Sequence, residues 1–193
     1  LSKGYQIINR FSEDVDLTYD IRVLAPDLLR PGLDPLPATR SQEKRWTREI
    51  RSRLPVWITQ QVVPRISTAL TEQDLAATLS AECEKVFLEY KPLAAGSGYV
   101  RPVVMLEFGA RSTGEPWESR TITCDASPNV TGVVFPSAEA RVMRPERTFW
   151  EKATAIHVFC LQDRLRGDRF ARHWHDVARL DKAGLAEAAF ADR

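Results

Sequence analysis

The sequence predicts an α/β (α+β) fold: a small mixed β-sheet core with helices packed on it and a mainly helical C-terminal part. Strand-like apolar runs recur around Val15 and Leu17, at Lys85 to Tyr90 and at Val103 to Phe108. Apolar residues at three- and four-residue spacing mark long helical stretches from Ser41 and from Thr148. A chain of 193 residues suffices for one domain with its own core, or for one domain with a helical appendage. We expect a sheet domain over residues 1–143 with a helical insertion at about 41–80, followed by a helical region over 144–193. Lys182 to Arg193 begins a further helix and stops, so that region reads as incomplete.

Composition narrows the function classes. Lys and Arg total 27 against 26 Asp and Glu, so no global field marks a nucleic-acid binder and any basic surface must be local. Cys83, Cys124 and Cys160 are odd in number and widely spaced. They suit neither a disulfide framework nor a Cys-x-x-Cys metal knuckle, and point to a reducing compartment. No apolar run approaches a membrane span and no signal peptide is visible, so the expected location is cytoplasmic.

The first strand runs from Arg10 through Phe11, Ser12, Glu13, Asp14, Val15, Asp16 and Leu17, and continues into Thr18 and Tyr19. Side chains at i and i+2 of a strand point the same way, which sets the Asp14 and Asp16 carboxylates on one face, roughly 6 to 7 Å apart at the backbone. Carboxylates that close repel one another unless a divalent cation lies between them, and oxygen-only ligands suit Mg²⁺ or Mn²⁺. By itself the spacing is a weak signal, since most Asp-x-Asp pairs are two solvated acids of an edge-strand turn.

Next comes a loop, because Pro26, Pro31, Pro35 and Pro37 with Gly32 exclude helix or central strand between Ala25 and Thr39. From Ser41, Trp46, Ile50, Leu54, Trp57 and Ile58 trace an apolar helical stripe with Pro55 and Pro64 as break points. Lys44, Arg48 and Arg51 share another face of that helix. They form either a solvated face paired with Glu43 and Glu49 or a contact for RNA phosphates. A second helix is expected over Thr71 to Ser80, with Thr71 and Asp74 at its start.

Strands follow at Lys85 to Tyr90, Tyr99 to Phe108 beyond the Gly96-Ser97-Gly98 turn, and Ser119 to Cys124, with one or two short ones over Val133 to Phe135 and Ala140 to Met143. Val103 to Phe108 is apolar on both faces apart from Glu107. A carboxylate there needs a partner: Glu107 is either a third metal ligand or a strand-end residue paired with Arg101 or Arg111.

In the helix beginning near Thr148, Phe149, Ala153, Ile156 and Cys160 form the core stripe, and Lys152 falls inside that apolar arc. Its ammonium either snorkels to the edge or reaches into a cleft where a polyphosphate supplies counter-charge. The next helix is expected to turn Phe170, Trp174, Val177 and Leu180 inward, with Arg172, His173 and Asp176 along one margin; the plain reading of Arg172 and Asp176 is an i, i+4 surface pair. His173 and His175 diverge by about 200° on such a helix and make poor partners for one zinc ion.

Three blocks resemble the AbiEii/AbiGii toxin family of nucleotidyltransferases, part of the polymerase-beta-like superfamily. They are Leu1 to Tyr5 with Arg10 to Leu17, the Phe149-Trp150-Glu151-Lys152-Ala153-Thr154-Ala155-Ile156-His157 phrase, and Arg172-His173-Trp174-His175-Asp176-Val177, where Val177 replaces a usual leucine. In the family a Gly-Gly-Ser or Gly-Gly-Thr turn that holds nucleotide phosphates stands just ahead of a segment like Leu1 to Tyr5. The sequence starts too late to contain it, so the phosphate-holding half of the motif is inferred from the resemblance alone. The resemblance implies metal-dependent transfer of NMP from an NTP to an acceptor hydroxyl, with RNA as the acceptor. It implies a toxin of a toxin-antitoxin or phage-defence system, with a cognate antitoxin as partner.

It further implies Mg²⁺ (or Mn²⁺) on Asp14, Asp16 and Glu107, and catalytic roles for Asp14, Asp16, Lys152 and Asp176. Arg10, Ser12, Lys152 and Arg172 become the nucleotide-binding candidates, with Lys152 and Asp176 expected across a cleft from the sheet. Lys44, Arg48 and Arg51 remain the possible RNA contact. Two other readings keep the fold and change the function: a non-catalytic RNA- or protein-binding module, and a phosphotransferase acting on protein.

Overall fold

The computed structural model describes residues 1–8, 14–29, 32, 35–94, 101–110, 113–162 and 167–191. It is a mixed α+β structure in two compact units, one formed by Ser12–Gly114 and the other by Leu1–Phe11 with Glu115–Arg193.

The first unit carries a four-stranded sheet. Its elements are β1 (Asp14–Thr18), α1 (Ile21–Leu24), a 3-10 turn (Pro26–Leu28), α2 (Arg40–Trp57), a π turn (Ile58–Val62), α3 (Val63–Glu72), β2 (Ala77–Glu82), β3 (Lys85–Tyr90) and β4 (Val103–Ala110). The strand order is β1-β4-β3-β2, with β1 parallel to β4 and the remaining pairs antiparallel. As its doubly apolar spelling requires, β4 is an inner strand.

One sheet face is covered by α2. Trp46, Ile50, Leu54 and Ile58 recur every four residues and pack with Val86, Phe108, Tyr19 and Ile21, while Leu17, Leu88 and Leu106 border the cluster. Because successive side chains of a strand alternate, Leu17, Leu106 and Phe108 facing this core leave Asp14, Asp16 and Glu107 on the opposite face.

Helix α2 begins one residue before the expected Ser41. The Thr39 hydroxyl accepts from the Gln42 amide at 3.2 Å and the Gln42 side chain accepts from the Ala38 amide at 3.0 Å. This is a variant of the capping box, spelled Thr-x-x-Gln, in which the return bond goes to the amide of the residue before the cap. Pro55 does not break the helix. It lies inside α2, and the chain widens into the π turn, where the Val63 amide reaches back to the Ile58 carbonyl, before continuing as α3 with Pro64 in its tolerant first turn.

The helix expected over Thr71 to Ser80 is corrected by the structure. Helix α3 ends at Glu72, Asp74 adopts a left-handed φ of 53°, and Ala77–Glu82 is a strand. The Ala and Leu of this stretch favour helix locally, but six register pairs with β3, from Ala77 with Tyr90 to Glu82 with Lys85, outweigh that preference.

The second unit comprises an antiparallel hairpin, β5 (Trp117–Thr123) with β6 (Ser137–Met143), and three helices, α4 (Pro145–Cys160), α5 (Gly167–Lys182) and α6 (Leu185–Ala191). The short strand expected at Val133 to Phe135 is absent. Val134 is fully exposed, and Pro136, which lacks an amide for a ladder, separates this segment from β6.

The helices close on Phe149, Leu180, Ala186 and Ala189, bordered by Leu1, Ile7, Ala153, Val177 and Leu185. Phe149, Trp150 and Phe190 add a triangle of edge-to-face rings with centroids 5.3 to 5.7 Å apart. The N-terminal segment is tied in by the Arg179 Nε donating to the Ile7 carbonyl at 3.1 Å and by the Arg120 guanidinium 4.7 Å from the Tyr5 ring centre. Burial first, then the adjoining Glu118 carboxylate, pushes the Tyr5 hydroxyl up to about 12 from 10.0.

Candidate metal centre and a buried lysine pair

In the sheet unit, β1 and β4 lie parallel in a register that sets Asp14 beside Met105, Val15 beside Leu106 and Asp16 beside Glu107. Laterally paired residues share a face, so the two aspartates of β1 and the glutamate of β4 converge on the face away from the core. One carboxylate oxygen from each of Asp14, Asp16 and Glu107 can be chosen so that all three lie within 4.8 Å of one another. The alternation Asp-x-Asp gives the first two. Only the strand pairing brings in the third.

The donor set fits a small hard cation. Three anionic oxygens are the kind of ligand that Mg²⁺ and Mn²⁺ prefer, so these residues would hold such an ion. Among the described residues, the basic partner of Glu107 is not Arg101 but Lys85, whose Nζ lies 3.3 Å from Oε2; Arg111, the other expected partner, lies outside the described residues. Lys85 stands directly opposite Glu107 across the β3–β4 ladder. Sequence reasoning missed it, because reading Thr71 to Ser80 as helix hid the tight hairpin Glu82-Cys83-Glu84-Lys85 that places this lysine.

The second cluster belongs to the helical unit. Asp176 is only 1% exposed, and Lys152 Nζ lies 3.2 Å from its Oδ2, with His175 Nδ1 3.5 Å from Oδ1. Lys152 comes from α4 and Asp176 from α5, so the pair bridges two packed helices. The surface ion pair expected between Arg172 and Asp176 is therefore corrected: Asp176 is buried, Lys152 holds it, and Arg172 is exposed on α5. The inward face of α5 runs through His173, Asp176, Val177 and Leu180, which turns Trp174 out to 57% exposure. The aspartate took the place that the aromatic was expected to fill.

Lys44, Arg48 and Arg51 are all exposed along α2. Arg10 and Ser12 lie outside the described residues.

A mixed sheet with an acidic pair on one strand, and a third acid on its parallel neighbour, defines the class of nucleotidyltransferase-like α+β proteins. The family model for the nucleotidyl transferase AbiEii toxin, of Type IV toxin-antitoxin systems, matches residues 1–193. The chain belongs to that family. Comparison with curated proteins and with solved structures gave no match. Membership implies a transferase that uses an NTP and a divalent metal, acting as a toxin with an antitoxin as its counterpart. Among the described residues, no helix is long and apolar enough to cross a membrane.

Proposed function

We propose that this chain is a Mg²⁺-dependent nucleotidyltransferase that moves NMP from an NTP to an RNA hydroxyl, as the toxin of a toxin-antitoxin or phage-defence pair in the cytoplasm. What supports this reading above all is the convergence of three carboxylate oxygens within 4.8 Å in a chain of a nucleotidyl transferase toxin family.

Asp14, Asp16 and Glu107 are assigned to hold the cation (Mg²⁺ or Mn²⁺). When bound, the ion neutralises triphosphate charge and makes the acceptor hydroxyl more acidic. Lys152 is assigned to a phosphate oxygen: its ammonium has three donors and Asp176 occupies one direction, which leaves the others for substrate. Asp176 thereby fixes the lysine, while Arg172, Arg10 and Ser12 orient the nucleotide. Lys44, Arg48 and Arg51, in line on α2, are assigned to the RNA backbone.

The deciding assay incubates the protein with each labelled nucleoside triphosphate and bulk RNA, with Mg²⁺ or with EDTA. Incorporation should require the metal and fall at least ~100-fold in Asp14→Ala; undiminished transfer by that variant would sink the reading. Label on protein in place of RNA would reassign the chain as a phosphotransferase or protein modifier. Substituting Lys44, Arg48 and Arg51 by alanine should weaken RNA binding and reduce the slope of log affinity against log salt by ~0.7 for each phosphate no longer neutralised.

A further inference from the structure

One transverse row of the sheet carries four charged residues on neighbouring strands. Asp16 on β1 pairs laterally with Glu107 on β4, Glu107 with Lys85 on β3, and Lys85 with Glu82 on β2. Neighbouring strands are about 4.8 Å apart, so each charge faces the next at close range. The signs run negative, negative, positive, negative. With Asp14 two residues along β1, the row and its flank hold four acids and one lysine.

We propose that Lys85 is a resident counter-charge at the Glu107 side of the acidic centre: a positioning residue that holds Glu107 while the cation is out and yields it when the cation binds. The inference rests on the metal-centre reading given above and adds a residue to it. Three observations carry it. Lys85 Nζ already contacts Oε2 of the candidate third ligand at 3.3 Å. The register places it beside Glu107 and on the flank away from Asp16, so it contacts one ligand of the three. Its other neighbour in the row is Glu82, a second carboxylate within a side chain's swing.

The chemistry then follows from charge. Three carboxylates within 4.8 Å repel one another, and an adjacent ammonium offsets part of that repulsion. A divalent ion brings twice the charge and can touch all three groups, so it displaces the ammonium from Glu107. Lys85, about one-third exposed, can turn toward Glu82 without leaving its strand. Its positive charge opposes cation entry at all times, which sets the affinity of the centre below what three carboxylates alone would give.

The test is direct Mn²⁺ binding, read by electron paramagnetic resonance or calorimetry without nucleotide, on the wild type and on Lys85→Met, Lys85→Arg and Asp14→Ala. Lys85→Met should bind Mn²⁺ about three- to ten-fold more tightly, since an adjacent, partly screened positive charge has gone. Lys85→Arg should stay within about two-fold of the wild type, because the charge is kept. Thermal scans should show a larger Mn²⁺-induced rise in Tm for Lys85→Met than for the wild type. Unchanged or weaker binding by a folded Lys85→Met overturns the role of Lys85 and leaves the metal centre standing. Failure of the wild type to bind Mn²⁺ any better than Asp14→Ala overturns the metal centre itself.

Discussion

The acidic face of the sheet and the buried pair of the helical unit handle negative charge in opposite ways. Asp14, Asp16 and Glu107 are gathered by backbone pairing, remain partly exposed and have a lysine at their flank. Asp176 is closed off from water and matched by Lys152 at 3.2 Å. An exposed cluster of like charges is a place where an outside cation can enter. A balanced buried pair is a fixed part of the packing, and breaking it exposes the full cost of stranding a charge.

Replacing one acid in each region should separate these two behaviours, and the largest effect belongs here. Asp16→Asn should cut nucleotidyl transfer at least ~100-fold, yet move the urea unfolding free energy by less than about 1 kcal/mol, as exposed charges do. Asp176→Ala should cost about 3 kcal/mol of stability, because Lys152, only one-quarter exposed, is left without its carboxylate. Joint replacement by Lys152→Met and Asp176→Leu should recover much of that loss. If Asp16→Asn proved the more destabilising of the two, the contrast between exposed centre and buried pair would be lost.

Metal addition sharpens the same comparison at a smaller scale. At ten times its Kd, Mg²⁺ should stabilise the wild-type protein by about 1.4 kcal/mol through mass action. The gain should disappear in Asp14→Ala and persist in Lys152→Met, measured as the change in Tm or in urea midpoint with and without the ion. Equal stabilisation of Asp14→Ala would place cation binding elsewhere in the chain.

How far these regions are legible in the sequence follows from the range of the interactions that build them. Asp14 and Asp16 are two residues apart on one strand, so pleat geometry alone puts them on a common face. Glu107 is visible only as an acid out of place in an apolar run, because its proximity to Asp16 depends on which strands pair. Lys85 is hidden for a different reason. Ala77 to Glu82 has weak local preference for a strand, and only pairing with β3 makes the hairpin that seats the lysine.

For Lys152, helical projection places the side chain inside an apolar arc but gives it no partner. Asp176 lies in a run whose aromatics draw attention to Trp174. A polar residue in a buried stripe is decided by what the neighbouring helix offers, and α4 offers Lys152. The Thr39 and Gln42 cap, by contrast, is fully local and is written in its spacing.

The smallest expected effect concerns the anchoring of the N-terminal segment in the helical unit. Burial and Glu118 raise the Tyr5 hydroxyl to about 12 in the folded chain, against 10.0 as its ordinary value. The unfolded chain therefore loses this proton first as the solution becomes alkaline. Between pH 10 and 12 the folded state binds more protons than the unfolded state, so stability falls as pH rises across that window and is unaffected by this group below it. Because Tyr5 is only partly buried, solvent screening should hold its share to about 1 kcal/mol or less. Tyr5→Phe has no proton to lose: its urea midpoint should fall less steeply than that of the wild type from pH 10 to 12, with parallel behaviour between pH 7 and 9. Identical alkaline limbs would mean that the hydroxyl ionises in the folded chain as readily as in the unfolded one, and that the contact with Glu118 and Arg120 does not hold the segment.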